Sequence, residues 1–308
     1  MRLIRYLNPE HDEPLECSVA VGNFDGLHRG HQALLDAARA GGRGLASAMM
    51  CFEPLPDTFF RPEAPVPRLL NLRDRIDLVR SFGLDLMFML RFDQRFARQS
   101  PERFVRDVLV RGARAKRVVV GHDFRFGSRA AGDVTMLKKL ARRYDFEVVC
   151  VDAVVEDGER ISSSRIRGAL AEGDLDTAAR LMGRPYRISG RVLRGNELGR
   201  QLGFATINLR PPVPAALHGV FAVWISGAGL DRHPGVASIG LRPTIGGRDW
   251  LLEAHLFDYD GNLYGRHLSV EFVKFIRAER KFEDVDAMKH QMIKDAKKAK
   301  EALDLTHS

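Results

Sequence analysis

Gly22-Asn23-Phe24-Asp25-Gly26-Leu27-His28-Arg29-Gly30-His31 decides how this chain is read. The decapeptide follows a short apolar run, Cys17-Ser18-Val19-Ala20-Val21, and precedes Gln32-Ala33-Leu34-Leu35-Asp36-Ala37-Ala38, which has helical spacing. A strand that turns through glycines into a helix is where α/β proteins hold phosphate. The first amides of the helix have no intrahelical partner, and the helix dipole is positive at that end. His28 and His31 are three apart on one face of the first turn, so both rings reach the same anion and can donate to a triphosphate. Gly30 removes a side chain where phosphate must come close. A lone His-x-x-His reads as a surface turn. Set among Gly22, Asp25, Gly26 and Gly30 between a strand and a helix, it reads as a nucleotide site.

Outward from this turn, short apolar runs at Ser18–Val21, Leu45–Phe52, Leu84–Leu90, Arg117–Val120 and Phe146–Val151 alternate with helical patterns. The helical stretches are His31–Ala40, Leu72–Phe82, Pro101–Arg111 and Val134–Arg143. That alternation predicts a parallel sheet with helices on both faces, which binds ligands beyond the carboxyl ends of its strands. Ile161–Leu170 and Leu175–Met182 read as two closing helices. After Met182 the pattern changes to β-rich segments split by Gly and Pro: Arg187–Leu193, Gly219–Ile225, His233–Ile239, Trp250–Phe257 and Leu268–Ile276. These predict a sandwich or a small barrel, finished by a helix at about Val285–Ala302. Gly183-Arg184-Pro185 marks the boundary between residues 1–184 and residues 185–308.

The 308 residues are enough for two separate cores, and 45% hydrophobic with 29% charged residues is an ordinary globular balance. Cys17, Cys51 and Cys150 are far apart and odd in number, which argues against a disulfide framework or a zinc site. The first ten residues lack the apolar core of a signal peptide, and no apolar run approaches the roughly 20 residues that span a membrane. A cytoplasmic protein is expected, with no membrane association. The net charge of +8 is dispersed except for lysines near the C-terminus, which read as a solvated helix face; nucleic acid is not an expected partner.

Three further segments converge on the nucleotide pocket: Phe52-Glu53-Pro54, Gly121-His122-Asp123-Phe124-Arg125-Phe126-Gly127 and Ile161-Ser162-Ser163-Ser164-Arg165-Ile166-Arg167. Alone, the serine run is an N-cap and Arg165 a solvated cation. Beside the decapeptide, Ser162, Ser163 and Ser164 offer hydroxyls and orphan amides to an anion, and Arg165 adds fixed charge. Phe124 and Phe126 are core residues by default, but beside glycines at a strand end they can flank a planar ring.

The second half carries its own constellation. Glycines at 190, 195, 199 and 203 suit a loop whose amides face phosphate, so Gly195, Gly199 and Gly203 are candidate nucleotide contacts. Thr206 and Asn208 alternate on a strand and point to one face. A hydroxyl and an amide oxygen together suit magnesium, a hard cation that takes oxygen ligands and keeps several waters.

The decapeptide with Ile161-Ser162-Ser163-Ser164-Arg165 resembles the nucleotidyltransferase pattern of His-x-Gly-His plus a late Ser/Thr-rich loop. The fuller string Gly22-x-Phe24-Asp25-Gly26-x-His28-x-Gly30-His31 is similar to that of the bacterial bifunctional riboflavin kinase/FMN adenylyltransferase (FAD synthetase) family, as are the Phe-Glu-Pro and Asp-Phe-Arg-Phe-Gly segments. Ser164 stands where that family usually has Thr. Gly203-Phe204-Ala205-Thr206-Ile207-Asn208 resembles the riboflavin kinase signature Gly-Phe-Pro-Thr-Ala-Asn, with Ala205 for Pro and Ile207 for Ala. Glu253-x-His255-x-Phe257-Asp258 and Arg277-x-Glu279-x-Lys281-Phe282 also fit. The resemblance covers nearly the whole chain. It implies an α/β Rossmann-like nucleotidyltransferase domain, then a small β-barrel riboflavin kinase domain with a C-terminal helix.

The implied chemistry is phosphorylation of riboflavin by MgATP to FMN, then adenylyl transfer from ATP to FMN giving FAD and pyrophosphate. On this reading His28 and His31 grip the bridge between the α- and β-phosphates, and Ser162–Ser164 with Arg165 hold the leaving pyrophosphate. Gly22, Phe24, Asp25, Gly26 and Gly30 shape the nucleotide turn, and Asp123, Phe124 and Phe126 face the flavin. Magnesium offsets the remaining charge. In the second half Thr206 and Asn208 hold the metal, and Glu253 is the base that takes the proton of the ribityl hydroxyl; His255 and Asp258 are left as structural. The competing readings are an enzyme with one working site, the changes at Ala205 and Ile207 weighing on the kinase, and a non-catalytic flavin- or RNA-binding regulator. The intact His28, His31, Thr206, Asn208 and Glu253, and the lack of a clustered basic and aromatic surface, speak against the regulator.

Overall fold

Apolar runs as continuous as those of the first half leave no face for water, so a sheet built from them must be covered on both sides. The computed structural model describes residues 1–7, 15–42, 44–194, 206–211, 214–244 and 247–305. Two compact units form: Met1–Val66 with Arg75–Ile161, and Pro67–Asp74 with Ser162–Ser308.

In the first unit β1 (Arg2–Ile4), β2 (Cys17–Val21), β3 (Ala46–Glu53), β4 (Leu86–Arg91), β5 (Ala115–Gly121) and β6 (Glu147–Val151) pair in parallel in the order β1-β4-β3-β2-β5-β6. Val19, Val21, Met50, Phe88, Val118 and Val120 pack on one side against Phe104, Leu109, Leu137 and Leu140 of the helical stretches that follow. The alternate residues Ala20, Met49, Met87 and Val119 point the other way and are equally buried. The helix Arg29–Arg39, which buries Leu34, Leu35 and Ala38, runs against β2, β3 and β5.

The strand order reverses between β2 and β5, since β3 and β4 are laid down on one side of β2 while β5 and β6 build on the other. The carboxyl ends of β2 and β5 therefore flank the crevice where such sheets take ligands. Gly22 follows the first end directly and the Gly121–Gly127 loop the second. Two features differ from the expected pattern. The helix over Pro101–Arg111 widens after Arg103 into i→i+5 turns and closes with Ala113 N donating to the Val108 carbonyl. A hairpin, β7 (Val155–Glu156) and β8 (Glu159–Arg160), turns at Asp157-Gly158 with both residues at positive φ.

The second unit begins with helices Ser163–Ala171 and Leu175–Met182. β9 (Arg187–Arg191), β10 (Thr206–Leu209), β11 (Gly219–Gly227), β12 (Leu230–Thr244), β13 (Gly247–Leu256) and β14 (His267–Arg277) follow, antiparallel, in the order β10-β13-β12-β11-β14-β9. Just past β9 the Leu193 amide donates to the Asn208 carbonyl at 2.8 Å, bridging the two outermost strands. The sheet thus curls into a small barrel rather than splitting into a sandwich. Ile207, Leu209, Ile239, Leu252 and Ala254 share one buried face. The final helix, Val285–Ala302, rests on Ala222 and Phe257 through Ala299 and Leu303. Asp295, buried on that helix, accepts three hydrogen bonds from Arg277 at 2.7–3.0 Å. Lys289, Lys294, Lys297 and Lys298 are exposed on the same helix. Among the described residues no helix is long and apolar enough to cross a membrane.

Candidate functional site

The turn after β2 is held by residues that few side chains could replace. Phe24, Gly26 and Leu27 all take positive φ, which lets the chain double back before the helix. His28 is the N-cap of Arg29–Arg39, in extended conformation, and its Nδ1 accepts the His31 amide at 3.3 Å. With Nδ1 an acceptor, the neutral ring carries its proton on Nε2, so that edge is a donor. The His28 and His31 rings stack 3.6 Å apart at 17°, with His28 buried. Both histidines therefore present to one place, although one helix amide read as free for phosphate is taken by His28.

Gly30 also makes room inside the protein. A Cβ there would lie 3.2 Å from Cε1 and Nδ1 of His28 and 3.7 Å from the Ile161 carbonyl, so the glycine makes room for the histidine ring and the passing chain. Phe24 also departs from expectation. It is fully buried, its ring packed beneath Gly22 and 5.1 Å from that of His31, so its side chain supports His31 from within the core. Asp25 is buried in the same turn.

On the loop after β5, Phe126 lies in the core against Phe104 and is 6% exposed, which removes it as a wall for a ring. Phe124 is only partly buried and stacks on Phe126, leaving it as the aromatic of this loop that can meet a ligand. The Asp123 carboxylate takes a 2.6 Å hydrogen bond from Arg160. Partial burial pushes its pKa upward, but the hydrogen bond and charge of Arg160 outweigh this and hold it below the usual carboxylate value. Glu53, at the end of β3, forms an ion pair with the buried Arg75. Sequence reasoning passed over Arg75, because an arginine on a helical stretch carries no local mark of burial.

Ser162 and its neighbours belong to the second unit. Ser162 caps Ser163–Ala171, its Oγ accepting the Arg165 amide at 3.2 Å; Ser163 and Arg165 are partly buried and Ser164 is exposed. The capping reading holds for Ser162, and the hydroxyls of Ser163 and Ser164 stand on the first helical turn.

In the barrel, Thr206 is in register with His255, Asn208 with Glu253, and Glu253 in turn with Ser238. Residues opposed in this way share a face, with Cβ atoms about 5 Å apart. Thr206, Asn208, Glu253 and Ser238 thus form one polar row on the side away from Ile207, Leu252 and Ala254. Asn208 is 7% exposed, yet its Oδ1 has no hydrogen-bond partner among the described residues. Such an orphan oxygen costs free energy unless something meets it, and a hard cation is what amide and hydroxyl oxygens suit. Among the described residues no three His, Cys, Asp or Glu side chains gather to hold a metal. His255 rests edge-on against Phe257, and Asp258 pairs with Lys300 at 3.6 Å. Gly195, Gly199 and Gly203 lie outside the described residues.

Known proteins resemble this chain over nearly its whole length. Residues 10–165 fit the family model described as FAD synthetase, and residues 182–303 the one described as riboflavin kinase. Bifunctional riboflavin kinase/FMN adenylyltransferases of Escherichia coli K12 and Haemophilus influenzae are 42% and 40% identical to this chain. The alignments cover 99% and 97% of it, and 99% and 98% of those proteins. The crystal structure of a macrolide-efflux protein from Streptococcus pneumoniae superposes with a TM-score of 0.79 at 29% identity, covering 95% of this chain and 97% of that one. With full-length relatives and both domain models in agreement, the chain belongs to the bifunctional riboflavin kinase/FMN adenylyltransferase family.

Proposed function

We propose that this chain makes FAD from riboflavin in two steps, the kinase step in residues 185–308 and the adenylyl transfer in residues 1–184. In the first step the ribityl 5′-hydroxyl of riboflavin attacks the γ-phosphorus of ATP. The O–P bond to the flavin forms, the bond to the β-phosphate oxygen breaks, and ADP leaves. Glu253 takes the hydroxyl proton. Asn208 and Thr206 would hold a magnesium ion, and the buried unpartnered oxygen of Asn208 is what supports this assignment. When bound, the metal supplies charge neutralisation on the transferring phosphoryl group. Gly195, Gly199 and Gly203 are assigned to the nucleotide loop from the sequence pattern alone.

In the second step an FMN phosphate oxygen attacks the α-phosphorus of a further ATP and pyrophosphate leaves. This chemistry asks the protein for alignment and for donors to oxygens in flight. His28 Nε2–H and His31 are those donors, oriented by the cap and by the stacking of the two rings. Ser163, Ser164 and Arg165 are assigned to the departing pyrophosphate from the sequence pattern alone. Phe124 and Asp123 line the flavin side, and Gly22, Asp25, Gly26 and Gly30 keep the turn in shape.

The observation that supports the reading best is that each unit carries a polar cluster of its own, the stacked histidines in one and the Asn208–Glu253 row in the other. The test is chromatography of products formed by the purified chain. With riboflavin and MgATP, FAD accumulates; His28→Ala stops at FMN, and Glu253→Ala still converts supplied FMN to FAD. Loss of both steps from either substitution in a folded protein would overturn the two-site assignment.

A further inference from the structure

We propose that the hairpin β7–β8 braces the adenylylation site and that Glu156, with Arg29, is a positioning pair for that reaction, an inference resting on the assignment just made. Two strands of two residues each cannot hold themselves in place; an isolated hairpin is marginal even when longer. Val155, at 53% exposure, adds little burial. What fixes the hairpin is its charged ends. Glu156 accepts a hydrogen bond from Arg29 Nη1 at 2.5 Å, and Arg160 donates to Asp123 at 2.6 Å. At its base the Ile161 amide donates to the Val154 carbonyl at 2.9 Å.

The anchors land on two different segments. Arg29 opens the helix directly after the β2 turn, and Asp123 lies on the loop after β5, the two connections that flank the strand-order reversal. The hairpin therefore ties together the two sides of the crevice. Ile161 follows it directly, 2% exposed, with its carbonyl 3.7 Å from the place of a Gly30 Cβ. Where the hairpin sits thus decides where the chain passes the histidine turn before it enters Ser162.

Arg29 and Glu156 keep 40% and 23% of their side-chain surface in water. Ion pairs this exposed contribute little to stability. Their effect should instead be kinetic, because transfer to a phosphorus is sensitive to small misplacement of the gripping groups. A pair that merely decorated the surface would move neither quantity.

The test uses the full chain, with FMN adenylylation and riboflavin phosphorylation assayed separately. Glu156→Arg and Arg29→Glu should each lower kcat/KM for ATP in adenylylation on the order of tenfold, with the thermal midpoint and the kinase step unchanged. The double exchange Arg29→Glu with Glu156→Arg should recover most of the loss, since the pair is restored with its ends swapped. Single variants within twofold of the parent would overturn the brace, as would a double exchange no better than the worse single. A parent chain that forms no FAD from FMN would instead refute the functional assignment, so the two failures are distinguishable.

Discussion

Replacing Asn208 by leucine separates what the residue does for the fold from what it does for the reaction. Its Oδ1 is buried without a partner among the described residues, and leaving such a group unmet costs about 1–3 kcal/mol. Leucine keeps the branch at Cγ with two methyl groups in place of the amide oxygen and nitrogen, carries no polar atom and leaves the backbone bridge to Leu193 intact. The ligand-free barrel should therefore gain stability, by about 1 kcal/mol or roughly 3 °C in its midpoint. Both tryptophans of the chain, Trp224 on β11 and Trp250 on β13, lie in this barrel, so their fluorescence during urea or thermal unfolding reads this unit alone. MgATP should raise the parent's midpoint by mass action and leave the variant's unmoved. Riboflavin phosphorylation should fall by about a hundredfold or more, as for loss of a group acting on the charge of the transfer, while FMN adenylylation continues. A variant whose ligand-free barrel is less stable than the parent, or whose kinase rate stays within a few-fold, would refute the reasoning.

Gly30→Ala should lower adenylylation about tenfold, because its Cβ pushes on the His28 ring at 3.2 Å and small displacements of such groups are costly. Its thermal midpoint should hold or rise, since alanine is favoured over glycine within a helix, and the kinase rate should not change. Asp85 predicts an acid response: the Ser47 hydroxyl and amide both donate to its Oδ2 at 2.8 Å and hold its pKa below the ordinary 3.8. A depressed carboxylate stabilises the fold above its unfolded value and loses that contribution as pH falls through the folded one. Asp85→Asn should thus cost stability at neutral pH, and the gap to the parent should close below about pH 4, as urea midpoints across that range would show.

Legibility in the sequence followed signal length. The runs that became β2 to β6 are apolar enough to announce a covered sheet, and the histidine turn marks the edge where it binds. β1 has only three residues, too few for any period, and pairs with β4 because that edge is open to it. β12 runs from Leu230 to Thr244, well beyond the expected His233–Ile239, because the residues added at either end are mostly polar, Gly or Pro and carry no apolar period. Pro234 is accommodated near the strand's start, where its carbonyl accepts from Phe257. The Asp157-Gly158 turn was available to inspection, but charged rather than alternating apolar residues flank it. Nothing local in Pro67–Asp74 tells that it is grouped with the second unit. Within the sites, residue types were legible and burial was not. Phe24 and Phe126 look like any aromatic beside glycines until the core closes over them. Asn208 and Glu253 are distant in sequence, and only strand register brings them side by side.

The bridge between Leu193 and Asn208 gives the barrel an unusual seam. Elsewhere adjoining strands are stitched by ladders of paired residues, but here, among the described residues, one backbone bridge joins the ends of the sheet. That stitch is made by the same residue whose buried side-chain oxygen is proposed to hold the metal of the kinase step. Whatever Asn208 clasps also pulls the seam shut, and whatever prises the seam apart lets go of the clasp. The cylinder's closure and its cargo then share a single keystone, so the empty protein should breathe first, and farthest, along the line where it does its work.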